Sequence, residues 1–535
     1  MNTKSNHKTI LVLLVLWLFA TYWNIDKPFH IDDAGHLAIA QWIEKNPLHP
    51  MSGLVNWNGN FEPISQLNQP HLYFYLMAGW AHFFGYSEIA IHCLMSLFTL
   101  WAIVAFYRLA KLVEPDYALH VTALFSLSSV FVVGQNSMVD VPLIAVWMEF
   151  YYTLMNPRYG EKRKYAIASV LCAAALLIKY TSLVLIPAML LQVVLTKKYR
   201  NTGWILIPVA TLVLWSAFNV YDYGGVHLLD RPNRVSQTLV SYLTFSMAWV
   251  MAIGAILPCV FLGFYAKFKE SPRIFPKVVF GFLCAATLLV PAVVLLSSVA
   301  DVALINLVLF ASFLLSGIGV LCICYQIAKA QAFGNGMTSI QYLLLYWIGA
   351  SFIFIVFFAP FVATRHVLLA MPAVLLLIYP QVVRASNIAK LYWISVALTI
   401  FNTTLLAKAD SWYAGIYKTN AVAIAQYLPA DTPIWFVGHW GWQWYAQQAG
   451  MRQLALNSPR PNIGDYLVVP FNVIGSEHIP AYLEGTELKT VEVMKEHWFQ
   501  HYASSNFYVS HDLPWHYSNG PMEVFKLYRI TGIKN

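Results

Sequence analysis

Long runs of apolar residues recur along this chain and restrict what it can fold into. Residues 10–20 and 302–324, for example, contain no charged side chain. A bilayer core offers no hydrogen-bond partners, so segments of this kind cross it as helices that satisfy their own backbone groups. Charged residues make up only 11% of the chain, whereas soluble proteins average about 25%. The sequence therefore predicts an α-helical polytopic membrane protein.

Polar breaks divide the apolar runs into about thirteen predicted transmembrane helices. Their approximate limits are 9–24, 88–110, 117–135, 141–155, 165–178, 180–196, 202–220, 238–265, 277–299, 302–324, 338–359, 366–382 and 391–407. The first run resembles a signal peptide, but bulky residues follow it where a cleavage site needs small ones. We interpret it as a retained signal anchor.

The basic residues give these helices an orientation. Successive loops lie on alternate sides of the membrane. The loops on one side, beginning with Lys4 and Lys8, contain about three times as many Lys and Arg residues as those on the other. The positive-inside rule then places the N-terminus in the cytoplasm and, with an odd number of spans, the tail outside. The net charge of +8 is accounted for by these short loops and predicts no nucleic-acid partner.

Two regions are predicted to lie outside the bilayer on the outer face. The first outer loop, residues 25–87, contains a predicted helix at Ala34–Ile43 and an aromatic stretch, Asn68–Gly85, that is typical of a helix lying in the membrane surface. The tail predicts a small α/β domain, so we divide the chain into a membrane domain, 1–407, and an extracytoplasmic domain, 408–535. In the tail the predicted helices are 414–427 and 440–449, and the predicted strands are 433–438, 465–469 and 522–530.

Polar residues on the outer face are few, and they combine acids with isolated cations. Candidates for chemistry are Asp32, Asp33, His36, Glu62, His71, Asp140, Lys179, His227 and Arg365. Arg can hold a phosphate by a bidentate fork and Lys as a point charge, while a nearby carboxylate can deprotonate an acceptor. The pattern predicts transfer of a group from a phosphate-bearing lipid, with the phosphate on Lys179 and Arg365.

Each candidate also has a purely structural interpretation. Asp32 or Asp33 could cap the helix that follows, and Asp140 could cap the helix that contains Pro142. Lys179 could extend to the membrane surface, and Arg365 could mark a helix end. The histidines and Glu62 could be ordinary loop residues. The shared location on one side of the membrane is what favours a functional site.

Five segments resemble the polytopic glycosyltransferases of the GT-C fold. They are Ile31–Ala40, Asn68–Leu76 with Phe84-Gly85, Met138–Leu143, Leu177–Tyr180 and Arg365–Pro372. These resemble, in order, the family's first-loop Asp-Glu motif, its His-Pro-Pro-Leu-Tyr surface helix, its Asp-x-Pro-Leu motif, its Leu-x-Lys motif and its late Arg-Tyr-Leu-Leu-Pro segment. The resemblance is to the branch of protein O-mannosyltransferases and lipid A aminoarabinose transferases, glycosyltransferase family 39. Asp33 stands where the family usually has Glu.

This resemblance implies a fold, a donor and residue roles. Such enzymes use polyprenyl-phosphate sugars, and the acceptor-activating acid would be Asp32, with Asp33 beside it and Asp140, His36 and His71 in support. Some relatives hold a divalent metal with a first-loop Glu and a later His, which would be Glu62 and His227 here. No cofactor is otherwise implied.

The expected function is transfer of a hexose or pentose from a polyprenyl-phosphate donor to a lipid, glycan or protein acceptor at the outer face. The scarcity of N-glycosylation sequons favours a bacterial inner membrane, since only Asn402 lies in one. Two alternatives are a lipid-linked sugar transporter or flippase and a non-catalytic glycan-binding assembly subunit. Convergence of Asp32, Lys179 and Arg365 on one cavity would favour the enzyme.

Overall fold

The computed structural model describes most of the chain. The described residues are 3–57, 59–67, 69–230, 238–256, 301–333, 336–384, 388–455, 459–473, 480–503, 506–509 and 513–534. The predicted span 277–299 and residues 257–265 of the predicted span 238–265 lie outside these ranges.

The described chain is mainly helical, as predicted. The α-helices are Thr3–Tyr22, Asp33–Lys45, Leu72–Phe84, Glu88–Val113, Ala118–Ser126, Ser129–Val133, Asp140–Met155, Glu161–Ile178, Leu185–Thr196, Leu206–Tyr223, His227–Asp230, Leu239–Ile256, Val302–Phe333, Ser339–Phe358, Met371–Arg384, Ile388–Tyr427, Trp440–Gln448 and Asn506–Val509. Single 3₁₀ segments occupy Ile64–Gln66, Pro115–Tyr117, Tyr180–Val184, Tyr199–Ile205, Thr364–Leu369 and Trp498–His501.

Among the described residues, five helical segments are long and apolar enough to cross a bilayer. They are Glu88–Val113, Tyr199–Tyr223, Leu239–Ile256, Val302–Ala330 and Ser339–Phe358, and three shorter apolar helices cover His7–Tyr22, Tyr180–Thr196 and Met371–Pro380. All eight coincide with predicted spans. The total of thirteen spans stays a prediction.

Local sequence signals explain several helix ends. Ser87 caps helix Glu88–Val113 by accepting a hydrogen bond from the Ala90 amide, and Thr338 with Gln341 forms a capping box at Ser339–Phe358. Gly85, at φ +79°, ends the surface helix Leu72–Phe84.

Two helices differ from the predicted pattern. The predicted span 117–135 is broken at Leu127 and Ser128, where the Leu127 carbonyl instead accepts a hydrogen bond from Thr403 on a neighbouring helix. Helix Ile388–Tyr427 continues without a break across residue 407, where the sequence analysis places a domain boundary, and includes the predicted tail helix 414–427.

The tail forms the small α/β unit that the sequence predicts. Its strands are β3 (Ile434–Phe436), β4 (Arg452–Gln453), β5 (Tyr466–Pro470), β6 (Leu483–Val493), β7 (Tyr502–Ala503), β8 (His516–Tyr517) and β9 (Glu523–Ile533), after β1 (Leu54–Asn56) and β2 (Phe61–Pro63) of the first loop. Five of them form one sheet in the order β4-β3-β5-β9-β6. Strand β3 runs parallel to β4 and β5, whereas β9 is antiparallel to both β5 and β6.

The tail packs closely on the first outer loop. Gly441 lies so near the backbone of the loop that an added Cβ would stand 2.2 Å from the Phe29 carbonyl oxygen. Four residues on, the Tyr445 hydroxyl accepts a hydrogen bond of 2.7 Å from the Phe29 amide. Helix Trp440–Gln448, which we call the tryptophan helix, is therefore fixed against the segment that leads into Asp32.

A buried ion pair joins the same loop to the last long helix. Lys27 pairs with Asp410, and both side chains are at most 2% exposed. Lys27 also donates to the Asn136 side-chain oxygen at 2.6 Å, and the Tyr508 hydroxyl lies 2.7 Å from the Asp410 carboxylate. These contacts connect the first loop, the segment before helix Asp140–Met155, helix Ile388–Tyr427 and the tail.

We expect Lys27→Met to destabilise the protein strongly, because it leaves the Asp410 charge buried without its cation. Breaking a buried ion pair in this way costs about 3–5 kcal/mol. The free energy of unfolding in detergent measures the effect. Lys45→Met, at an exposed lysine of the same loop, is the matched control, and equal stability of the two variants would contradict a structural role for the pair.

Candidate active site

One cavity of about 740 Å³ opens where the first loop, the tail and the ends of several helices meet. The first-loop helix Asp33–Lys45 and the residue before it contribute Asp32, Gly35 and His36 to the lining. Lys179 and Arg365 reach the same cavity from two other parts of the fold. Asp32, Lys179 and Arg365 therefore lie in one cavity, which is the arrangement that favours the enzyme interpretation.

Four charged side chains form a continuous chain at this cavity. Arg365 donates from Nη2 to the Asp32 carboxylate at 2.9 Å and lies 3.7 Å, through Nη1, from the Asp140 carboxylate. Lys179 donates to the other oxygen of Asp140 at 2.8 Å. All four side chains are at most 17% exposed. Asp140 therefore holds both cations beside each other, with Asp32 at the end of the chain.

The backbone turns sharply to present Asp32. Ile31 adopts φ +50°, which is rare for a β-branched residue and is a form of backbone strain found at functional sites. Asp32 follows at the N-cap position of the first-loop helix, but its side chain makes no capping hydrogen bond. The capping interpretation of Asp32 is therefore wrong, and its carboxylate pairs with Arg365 instead.

Asp140 and Lys179 lie at helix ends, as the sequence indicated. Asp140 begins helix Asp140–Met155, and Lys179 directly follows helix Glu161–Ile178 in an extended conformation. Their mutual ion pair directs Lys179 into the protein, so it does not extend to the membrane surface. Arg365 lies in the 3₁₀ segment Thr364–Leu369 and is 7% exposed.

Asp33 is placed differently from its neighbour. Its side chain is fully buried, is absent from the cavity lining, and accepts a hydrogen bond of 2.8 Å from the His30 amide. Burial raises the pKa of Asp33 to about 7, against the opposing effect of that hydrogen bond. The expectation that Asp33 shares the catalytic position with Asp32 is not supported by this geometry, because Asp33 instead closes the turn that presents Asp32.

His36 lies in the cavity one helical turn after Asp32. Its Nδ1 is 2.9 Å from the Ser137 carbonyl, which can only accept, so this nitrogen carries the proton and Nε2 holds a lone pair. Burial lowers the pKa of His36 and keeps the ring neutral. Beside it, the Trp57 ring rests on Gly35, where a Cβ would stand 2.0 Å from the indole.

The proposed metal pair does not form a site in the described part of the chain. Glu62 lines the cavity, but His227 already uses both ring nitrogens, one on the Leu67 carbonyl and one on the Tyr180 hydroxyl at 3.0 Å. His71 is buried beside His227, with ring centres 6.4 Å apart, and is not among the lining residues. Among the described residues, no cluster of three metal-ligating side chains occurs. Metal binding would require His227 to release these hydrogen bonds, and the metal role of Glu62 and His227 stays a prediction.

The cavity has two walls that the sequence analysis did not predict. Residues from the end of helix Ser339–Phe358 and just beyond it form an apolar wall that includes Phe354, Phe358 and Phe361. Opposite, the tail contributes Trp440 and Gln443. The aromatic pattern of the tryptophan helix was visible in the sequence, but nothing there indicated that it packs on the first loop.

Residues 68–221 match the family model described as dolichyl-phosphate-mannose-protein mannosyltransferase. This match confirms the resemblance to glycosyltransferases of that branch. The matched segment contains the surface helix, Asp140 and Lys179, but neither Asp32 nor Arg365. Among curated proteins, none shows significant sequence similarity to this chain.

Three solved structures illustrate the proteins that this chain resembles. ArnT from Cupriavidus metallidurans, bound to undecaprenyl phosphate, is 14% identical, with a TM-score of 0.38 over 88% of this chain and 93% of its own. Archaeal oligosaccharyltransferase AglB from Archaeoglobus fulgidus, with an inhibitory peptide and a dolichol-phosphate, is 12% identical, with a TM-score of 0.47 over 85% and 65%. Arabinofuranosyltransferase AftD from Mycobacteria is 11% identical, with a TM-score of 0.41 over 99% and 40%.

We expect Asp33→Asn to stabilise the protein more at pH 8 than at pH 5. The folded-state pKa of Asp33, about 7, lies above its ordinary value of 3.8, so the fold favours the protonated form. The stability that Asp33 contributes is therefore greatest below about pH 4 and is lost as the pH rises through 7. Asn keeps an acceptor for the His30 amide without titrating.

The measurement is the difference in melting temperature between Asp33→Asn and the unmodified protein at the two pH values. Asp116→Asn, at an exposed aspartate on a different loop, is the control and should show no such difference. A melting-temperature difference that does not change with pH would contradict the buried, protonated state of Asp33.

Proposed function

We propose that this chain is a membrane glycosyltransferase that moves a sugar from a polyprenyl-phosphate donor to an acceptor on the outer face of the membrane. The observation that carries the proposal is the placement of Arg365 and Lys179 on one carboxylate, Asp140, beside Asp32 in a single cavity. The family match over residues 68–221 supports the same reaction class.

The two walls of the cavity suit the two parts of such a donor. The apolar wall with Phe354, Phe358 and Phe361 would receive the isoprenoid chain from the membrane side. Arg365 and Lys179 would then bind the phosphate, Arg by two parallel hydrogen bonds and Lys by charge. The sugar would extend toward Asp32, His36 and the polar wall.

In the proposed step, Asp32 accepts the proton of an acceptor hydroxyl or amine as that group attacks the anomeric carbon of the sugar. The new glycosidic bond forms while the bond from the anomeric carbon to the phosphate oxygen breaks. The electron pair leaves with polyprenyl phosphate, whose added negative charge is balanced by Arg365 and Lys179. His36 Nε2 is an additional acceptor near Asp32.

Arg365 couples binding of the donor to release of the Asp32 carboxylate. Before the donor binds, its guanidinium is shared between Asp32 and Asp140. A donor phosphate competes with these carboxylates for the guanidinium. Displacing Asp32 from Arg365 frees its carboxylate to accept a proton only once the donor is in place.

The chain would act in a bacterial inner membrane with its N-terminus in the cytoplasm and its tail and active site in the periplasm. A hexose or a pentose donor both suit the site, as do lipid, glycan and protein acceptors, so the assay includes each. A flippase or transporter is less consistent with the charged residues, since they lie in one cavity rather than along a path across the membrane. A non-catalytic subunit would not need Asp32.

We expect Asp32→Asn to lower the rate of sugar transfer by about 10²–10⁴-fold, the usual loss when a general base is removed. The measurement is transfer of radiolabelled sugar by the purified protein in vesicles, from polyprenyl-phosphate mannose and from polyprenyl-phosphate aminoarabinose, to lipid, glycan and protein acceptors in turn. Asp26→Asn, at a nearby aspartate outside the cavity lining, is the matched control. Normal turnover by folded Asp32→Asn would refute the assigned role.

The same assay addresses metal dependence. The step proposed here assigns no metal, so activity should persist in EDTA. Activity that is lost in EDTA and restored by a divalent cation would give Glu62, which lines the cavity, a metal-binding role.

We expect Arg365→Ala to reduce donor use by roughly tenfold or more, since each charged hydrogen bond to phosphate contributes about 1.5–3 kcal/mol. Arg365→Lys should recover only part of this loss, because Lys lacks the planar fork. The measurement is the KM for the donor in both variants, with Lys111→Ala, at an exposed lysine outside the cavity lining, as control. Full recovery by Arg365→Lys would mean that charge alone is sufficient.

A further inference from the structure

A second concave surface lies on the outer side of the protein, beyond the cavity. This outer groove, of about 580 Å³, is lined by Gln41, Tyr86, Glu88, Trp444, Gln447 and Gln448, together with Ser87. Its walls come from the first-loop helix, the turn after the surface helix, and the tryptophan helix. None of the catalytic candidates lies in it.

One face of the tryptophan helix contributes residues to both concave surfaces. Trp440, Gln443, Trp444, Gln447 and Gln448 are spaced i, i+3, i+4, i+7 and i+8, which places them on one side of a helix. Trp440 and Gln443 line the cavity, whereas Trp444, Gln447 and Gln448 line the outer groove. At 1.5 Å per residue, this face extends about 12 Å, a length that suits a ligand of two or three sugar units.

The groove holds polar groups that have no partner within the described structure. The side-chain amides of Gln41 and Gln448 make no hydrogen bond to any described residue. Trp444 is mostly buried, but its indole N–H remains accessible and has no acceptor among the described residues. Like the two amides, it is free to hydrogen-bond a ligand.

The remaining lining groups are held in fixed positions. Glu88 accepts at one carboxylate oxygen from Lys418 at 2.6 Å and from the Tyr445 hydroxyl at 2.9 Å. The Tyr86 hydroxyl donates to Glu44 at 2.9 Å. Trp444 packs edge-on against Phe29, with ring centres 5.4 Å apart. The groove is therefore a preformed surface.

The chemistry of the lining selects one class of ligand. Amides and hydroxyls both donate and accept hydrogen bonds, as do the hydroxyls of a sugar, and Tyr and Trp offer apolar faces for its C–H groups. No residue in this lining is basic, and Lys418 is already engaged by Glu88. A phosphate, an acidic glycan or an anionic lipid headgroup would find no cation there.

We propose that the outer groove binds a neutral oligosaccharide, which extends along the tryptophan helix from the cavity. The proposal that an oligosaccharide binds here depends only on the structure of the groove. The further statement that this oligosaccharide is part of the acceptor rests on the proposed glycosyltransferase function.

The test uses the full-length protein in nanodiscs, fluorescently labelled and applied to an array of neutral and acidic oligosaccharides of two to six residues. We expect the unmodified protein to bind neutral glycans. Gln447→Ala/Gln448→Ala should weaken this binding by roughly tenfold or more, through loss of two hydrogen-bonding amides. Trp444→Phe, which keeps the aromatic contact with Phe29 but lacks the N–H, should weaken it by a smaller factor.

Two further variants separate groove binding from other effects. Gln426→Ala, at an exposed glutamine of helix Ile388–Tyr427 outside the groove, should bind as the unmodified protein does. Asp32→Asn should also keep array binding while losing transfer, so failure of the proposed catalytic function and failure of the groove are distinguishable. The acceptor assignment further requires that a glycan identified on the array receives labelled sugar in the transfer assay.

The proposal is overturned if neutral oligosaccharides do not bind, if acidic glycans or anionic lipid vesicles bind instead, or if the Gln447→Ala/Gln448→Ala variant binds as well as the control. If glycans bind to the groove but none of them accepts sugar, the acceptor assignment is wrong, whereas the binding site stands.

Discussion

The candidate site of this protein depends on a guanidinium group that two carboxylates share. Arg365 lies between Asp32 and Asp140 in surroundings that leave its side chain only 8% exposed. Charges in such a place are costly unless they are paired, so each member of the chain determines where the others can be. The four residues come from separate parts of the sequence. Pairing of the two acids with the two bases therefore also fixes how those parts pack together.

This arrangement relies on contacts made by the tail. The turn at Ile31 presents Asp32 only while the preceding loop is held, and the tail holds it through Gly441 and Tyr445. The buried Lys27–Asp410 pair anchors the same loop two residues earlier. The tail therefore forms one wall of the cavity and also supports the loop that carries Asp32. The membrane helices alone would leave the site incomplete.

Much of the fold could be predicted from the sequence because it rests on local signals. Apolar run length located the long helices, and alternating patterns located β3, β5 and β9. Strand β6 was missed because seven of its eleven residues are exposed and four are charged, and it is recognisable only by its pairing with β9. The site was partly predicted because Asp32, Lys179 and Arg365 are isolated charges among apolar residues. The Lys27–Asp410 pair and the packing of the tryptophan helix on the first loop could not be predicted, since contacts across about 400 residues leave no local pattern.

The separation between Lys27 and Asp410 has a consequence for biosynthesis. At about 5–20 residues per second, the ribosome adds the partner of Lys27 roughly 20–80 s after Lys27 itself. During that interval the first loop has already been synthesised, yet its ion pair and the glycine contact that fixes it do not exist. Until then the nascent loop remains hydrated and lacks these contacts. The candidate site is completed only as synthesis ends. A prematurely terminated chain would thus lack the completed cavity.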